Sequence, residues 1–158
     1  MNKDERIISV LMVCLGNICR SPLAEAALRQ VADREGINLY VDSAGTGDWH
    51  VGLPPDPRAQ DVAMRLGGID IGHLRARQFA VDDFYRFDHI LAMDDANLGD
   101  LQALMPPDAT ATLSLLLEHL PGNEGKAVAD PYYGDAAGFE MTWKQVNAAV
   151  AAFAKSLG

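Results

Sequence analysis

Residues 7–22 read I-I-S-V-L-M-V-C-L-G-N-I-C-R-S-P, an apolar run that breaks into a short polar loop and then into the start of a helix. The unbroken stretch Ile7–Val13 suits a strand buried on both faces, and such strands are usually central and parallel. Residues 22–35 follow as a helix, with Ala24, Leu28 and Val31 on one face and Gly36 placed to stop it. Strand, loop and helix make half of a β-α-β unit, and in open parallel sheets ligands sit beyond the carboxyl ends of the strands. Cys14 stands at such an end.

The alternation continues outward from there. Leu39–Ala44 reads as a second strand, followed over residues 45–57 by a long loop rich in Gly, Pro and Asp that carries Trp49 and His50. Arg58–Leu66 reads as a helix stopped by Gly67 and Gly68, Asp82–Arg86 as a short helical turn, and His89–Met93 as a third strand. Asn97–Leu104 is again helical, Ala111–Leu116 is a fourth strand, residues 121–138 are loop, and Glu140–Leu157 closes as an Ala-rich helix. The pattern predicts one α/β domain over residues 1–158. It is a single three-layer domain with a four-stranded, mostly parallel twisted sheet and helices on both faces.

Composition agrees and narrows the function. The 158 residues are 49% hydrophobic and 22% charged, enough apolar matter for one core. The net charge of −9 has the wrong sign for holding nucleic acid by its phosphates. Charge is uneven, with 9 basic and 10 acidic side chains in residues 1–80 against 4 and 12 in residues 81–158, so an anion site belongs in the first half. Cys14 and Cys19 are too few for a disulfide framework and lack the spacing of a zinc site, which favours a reducing, cytoplasmic setting. The apolar run Ile7–Leu15 is too short to span a bilayer, and Asp4 and Glu5 cancel the charges of Lys3 and Arg6 that a signal peptide would need. A soluble protein without membrane attachment is expected.

The loop V-C-L-G-N-I-C-R-S-P at residues 13–22 carries the chemistry. A loop between a strand end and a helix N-terminus aims successive backbone N–H groups inward, and the helix adds its own free N–H groups and positive dipole end. Gly16 and Asn17 tolerate the left-handed backbone such a nest needs, Ser21 is placed to cap the helix, and Pro22 suits its first turn. Inside the nest Cys14 would feel the dipole, the amides and the Arg20 charge, all of which favour thiolate over thiol. Arg20 offers a planar fork for two phosphate oxygens while phosphorus faces the sulfur, so Cys-x5-Arg encodes phosphoryl transfer. It is no nucleotide P-loop, because G-x4-G-K-[ST] is absent, and Gly45 with Gly47 lacks the third glycine of a dinucleotide fingerprint.

C-L-G-N-I-C-R-S-P resembles the signature loop of the low-molecular-weight protein tyrosine phosphatases. D-S-A-G-T at residues 42–46, P-P-D at 54–56, F-D-H-I-L-A-M-D at 87–94 and D-P-Y-Y-G-D at 130–135 extend the resemblance over nearly the whole chain in the family's order. The resemblance implies that Cys14 attacks phosphorus while Arg20 and the amides of Leu15, Gly16, Asn17, Ile18 and Cys19 hold the phosphate oxygens. Asp130 is the implied general acid. It protonates the leaving phenol to give phosphocysteine and then activates the water that releases phosphate. Ser21 is implied to bond the thiolate, and Ser43 and His73 to hold Asn17 in its strained conformation. Trp49, Tyr132 and Tyr133 match aromatic positions at the pocket mouth, where depth selects phosphotyrosine over phosphoserine. Cys19 matches a second loop cysteine able to form a reversible disulfide with Cys14. No metal or cofactor is implied, and the partners are phosphotyrosyl proteins or peptides and phosphate-like oxyanions.

Three other readings compete. Arsenate reduction needs resolving cysteines beyond Cys14 and Cys19, and gives D-P-Y-Y no purpose. Protein-arginine phosphatases have a similar loop with Thr where Ile18 stands, and lack the Tyr132–Tyr133 pair. A phosphopeptide-binding or redox-sensing module would keep the nest without turnover, which the presence of Cys14, Arg20 and Asp130 together disfavours.

Overall fold

In the computed structural model, which describes residues 7–157, strand β1 spans Ile8–Cys14 and lies between two parallel neighbours. The charged residues 3–6, on which the signal-peptide reading turns, lie outside the described residues. Side chains of β1 alternate between two cores: Val10, Met12 and Cys14 enter one, and Leu11 and Val13 the other. All of these except Cys14 are wholly buried, which is why the run is apolar without alternation.

Strand β2 (Leu39–Gly45) pairs with one edge of β1, and β3 (His89–Ala92) with the other. Strand β4 (Thr112–Leu115) completes the order β2-β1-β3-β4, and every pairing is parallel. Helices α1 (Arg20–Glu35), α2 (Pro57–Gly67) and α5 (Ala136–Leu157) cover one face, with Leu23, Val62, Trp143 and Phe153 in its core. The short α3 (Asp83–Arg86) and α4 (Asp95–Leu104) cover the other through Phe84 and Leu101. Each such side chain, fully withdrawn from water, contributes about 1.5–3 kcal/mol.

Several boundaries depart from the pattern reading by one to four residues, and three of them bear on the site. β1 runs on to Cys14 itself, because its backbone still has a partner in Gly45. Helix α1 begins at Arg20, before the proline, with no side-chain cap, so Ser21 does not cap it; its hydroxyl is engaged elsewhere. Helix α5 begins at Ala136, four residues earlier than the pattern reading places it. Asp135 accepts the Gly138 N–H at 3.2 Å and Phe139 is driven into the core, which outweighs the roughly 1 kcal/mol that a glycine costs a helix. Among the described residues no helix is long and apolar enough to cross a membrane.

Candidate active site

The loop after β1 is stitched to the end of β2. Thr46 N–H donates to the Cys14 carbonyl and Gly47 N–H to that of Leu15, both at 2.9 Å. A Cβ on Gly45 would lie 2.7 Å from the Leu15 carbonyl oxygen, so only glycine admits this approach. Asn17 takes the left-handed conformation at φ 58°, and its N–H points to Cys14 Sγ at 3.2 Å. Ser21 Oγ, in the first turn of α1, lies 3.0 Å from the same sulfur.

The Asn17 side chain is held at three points. Its Nδ2 donates to Ser21 Oγ at 2.8 Å and Ser43 Oγ at 3.0 Å, and its Oδ1 accepts from Arg77 N–H at 3.0 Å. Ser43 in turn donates to Glu25 Oε1 at 2.6 Å, and Glu25 pairs with Arg29 at 2.8 Å. His73 does not take part. It is exposed in a separate surface cleft beside Glu25 and Arg29, because the Asn17 carbonyl is taken by Arg77 and the Ser43 hydroxyl by Glu25. Burial pushes the Glu25 carboxyl above its ordinary value, while the Ser43 hydrogen bond and Arg29 pull it back. The spacing of Ser21, Glu25 and Arg29 at successive four-residue steps places all three on one helix face, a signal that could have identified Glu25. Nothing local marks Arg77, whose guanidinium is pinned by Asp42 and Asp83.

Arg20 is buried, and one edge of its guanidinium is committed: Nη1 donates to Asp94 Oδ2 at 2.7 Å and to the Val128 carbonyl at 3.1 Å. Asp94 follows β3 and caps α4 by accepting the Asn97 N–H at 2.8 Å. Val128 is fastened to the same strand end, its N–H donating to the Met93 carbonyl at 2.8 Å. Two strand ends and the late loop therefore meet around Arg20. Its Nη2 lies 3.7 Å from Asp130 Oδ2. Sequence reading assigned no role to Asp94, although it closes one of the quoted segments.

Cys14, Arg20 and Asp130 share a cleft of about 430 Å³. Leu15, Gly16, Ile18 and Cys19 line its wall, and Trp49, Tyr132 and Tyr133 stand around it, joined by His50, to which sequence reading gave no role. Trp49 and Tyr133 are 69% and 94% exposed, free to meet a ligand rather than filling the core. Tyr132 packs edge-on against Tyr133, and Asp130 accepts the Tyr132 N–H at 3.1 Å. Cys14 and Cys19 are both buried free thiols. Burial, with Asp56, Cys14 and Asp130 adding to it and Arg58 opposing, pushes the Cys19 thiol well above its ordinary value.

A parallel sheet whose central strand delivers a thiol to a loop with a backbone N–H at its sulfur, an arginine at the following helix start and a carboxyl in the same cleft fits the class of cysteine-dependent phosphatases. Comparison with known proteins narrows the class. The sequence model for "Low molecular weight phosphotyrosine protein phosphatase" matches residues 9–158, and the chain belongs to that family. A Schizosaccharomyces pombe relative of that name is 45% identical over 135 residues, covering 84% of this chain and 85% of the relative. The crystal structure of Primo-1 superposes with a TM-score of 0.89 at 39% identity, over 94% of this chain and 97% of that one. The Drosophila arginine phosphatase DARP superposes with a TM-score of 0.86 at 35% identity, over 94% and 96%.

Proposed function

We propose that this chain hydrolyses phosphotyrosine in proteins or peptides, and small aryl phosphates, through a phosphocysteine intermediate and without metal. The observation that carries the reading is the shared cleft of Cys14, Arg20 and Asp130, with Ser21 Oγ and the Asn17 N–H both at the sulfur. Cys14 attacks phosphorus in line, and the nest amides with the free edge of Arg20 hold the equatorial oxygens. Asp130 gives its proton to the departing phenolate oxygen. It then takes one from the water that splits the S–P bond and returns the thiolate. Asn17, Ser43 and Glu25 act behind the loop as positioning residues. Trp49, Tyr132 and Tyr133 provide faces for the phenol ring.

Cys19 is the reading's redox partner for Cys14, supported by its place in the same cleft wall. Two buried free thiols suit a reducing cytoplasm. Likeness to a structure described as an arginine phosphatase keeps phosphoarginine as the second substrate to test.

The test is phosphate release from matched phosphotyrosyl, phosphoarginyl and phosphoseryl peptides in the presence of a chelator, with Cys14→Ser as the control. Release from the phosphotyrosyl peptide that vanishes in the control supports the reading. Preference for phosphoarginine transfers the chain to the second substrate, and binding without turnover makes it a phosphopeptide module.

A further inference from the structure

We propose that Arg58 is a positioning residue that holds Asp130 in place for proton transfer by tying the loop that carries it to the phosphate-binding loop. The inference rests on the phosphatase reading above and deepens it.

Asp56 and Arg58 stand at the start of α2, between the two loops. The Asp56 N–H donates to the Ile18 carbonyl at 2.8 Å, which joins residue 56 to the phosphate-binding loop. The Asp56 carboxylate, 9% exposed, then grips Arg58: Oδ1 accepts from Nε and Oδ2 from Nη2, each at 3.0 Å. The remaining donors of the same guanidinium reach the acid loop, Nη2 to the Tyr132 carbonyl at 2.9 Å and Nη1 to the Gly134 carbonyl at 3.0 Å. Its carbon also lies 4.6 Å over the Phe139 ring and 5.8 Å over that of Tyr132.

The acid loop needs this tie because it has little structure of its own. On the amino-terminal side of Asp130, Val128 is fastened to Met93 and Arg20, and Ala129 to Gln145 and Thr142. On the carboxyl-terminal side, the hydrogen bonds that fasten residues 131–134 to the rest of the fold among the described residues are the two from Arg58. Asp130 is bonded internally to the Tyr132 N–H, so whatever holds the Tyr132 backbone also holds the acid. A planar fork serves both carbonyls and the carboxylate at once; an ammonium would reach one of them.

Arg58 does not line the cleft of Cys14, Arg20 and Asp130, and its loss leaves two loop carbonyls that water can satisfy and the Asp56 carboxylate without its partner. The expected signature is therefore selective. Proton donation matters for a phenol that leaves poorly and hardly at all for one that leaves easily.

The experiment compares kcat/KM for phenyl phosphate and dinitrophenyl phosphate in the full chain and in Asp130→Ala, Arg58→Met and Arg58→Lys, with inhibition by inorganic phosphate measured alongside. Arg58→Met is expected to lower kcat/KM for phenyl phosphate by about 10- to 100-fold and for the dinitrophenyl ester by less than about threefold. Inhibition by phosphate should be unchanged, with Arg58→Lys falling between wild type and Arg58→Met. Equal slowing of both esters, or slowing of neither, while Asp130→Ala shows the selective loss, overturns the proposal and leaves the phosphatase reading intact. If Asp130→Ala is itself unselective, the acid assignment fails and takes this proposal with it. Should the Met variant not fold, Arg58→Lys decides by the same ratio of the two esters.

Discussion

Arg20 Nη1 and Asp94 Oδ2 lie 2.7 Å apart, with the arginine side chain 4% exposed. A cation that buried is held by its carboxylate as much as by the fold. Removing one partner of a buried pair costs about 3–5 kcal/mol, and losing a helix cap adds about 1 kcal/mol. Asp94→Ala should therefore destabilise strongly, while Asp94→Asn, which keeps an acceptor, should lose clearly less. In the alanine variant the freed guanidinium turns toward Asp130, already 3.7 Å from Nη2, and inhibition by phosphate weakens. Denaturant unfolding with phosphate inhibition checks both points; wild-type stability in Asp94→Ala would remove the ion pair from the account.

Asn17 serves two separable purposes, a left-handed backbone and a side chain with three hydrogen bonds. Asn17→Gly keeps the first and loses the second, whereas Asn17→Ala loses both. The alanine variant should be less stable than the glycine variant by about 1 kcal/mol, the usual cost of φ > 0 for a residue with Cβ. Both should turn over more slowly than wild type, because Ser21 loses the donor that orients it toward Cys14. Equal stability of the two would show that backbone strain is not what the residue relieves.

What could be seen in the chain beforehand divides along a physical line. The apolar run into Cys14, the loop that turns at Asn17 and the helix behind it lie within about one β-α unit, where neighbours in sequence are neighbours in space. The parallel four-stranded sheet followed from repeating that pattern. Links between distant segments were not legible: Asp94 reaches Arg20 across 74 residues, Arg77 reaches Asn17 across 60, and Arg58 reaches Gly134 across 76. His73 fails for the converse reason. The loop around it follows its own path, and Glu25 on the buried face of α1 is already at Ser43. The early start of α5 was hidden by the glycines at 134 and 138, whose turn signal is overridden by the burial of Phe139.

Turnover and phosphate binding should separate by substitution. On the proposed mechanism Cys14→Ser removes the nucleophile and leaves the loop amides and Arg20, so hydrolysis should disappear while inorganic phosphate still raises the melting temperature. Arg20→Ala should lose both, since it removes the fork and leaves Asp94, behind the cleft, and Asp130, in it, without their counter-charge. Phosphate stabilising Arg20→Ala as much as Cys14→Ser would place the anion elsewhere.

His89 and His119 give the fold a defined sensitivity to acid. Their rings stand edge-on to Phe153 at 5.3 and 4.9 Å, and His119 Nε2 lies 2.9 Å from Ser114 Oγ. Burial pushes both below their ordinary value of 6.5, while Asp88 and Glu118 respectively pull them back up. A base with a depressed folded value is protonated more readily in the unfolded chain. Below 6.5 the unfolded state therefore binds more protons, and stability falls as pH drops toward the folded values; above 6.5 these groups contribute no slope. Glu25 works in the opposite direction, because a carboxyl raised by burial makes the fold more stable as pH falls toward 4.5. That contribution is common to wild type and to a double variant, His89→Gln with His119→Gln, so it cancels in their comparison. Between about pH 7 and about pH 5.5 the urea midpoint of wild type should fall further than that of the double variant. An equal fall in the two would locate the acid sensitivity away from Phe153.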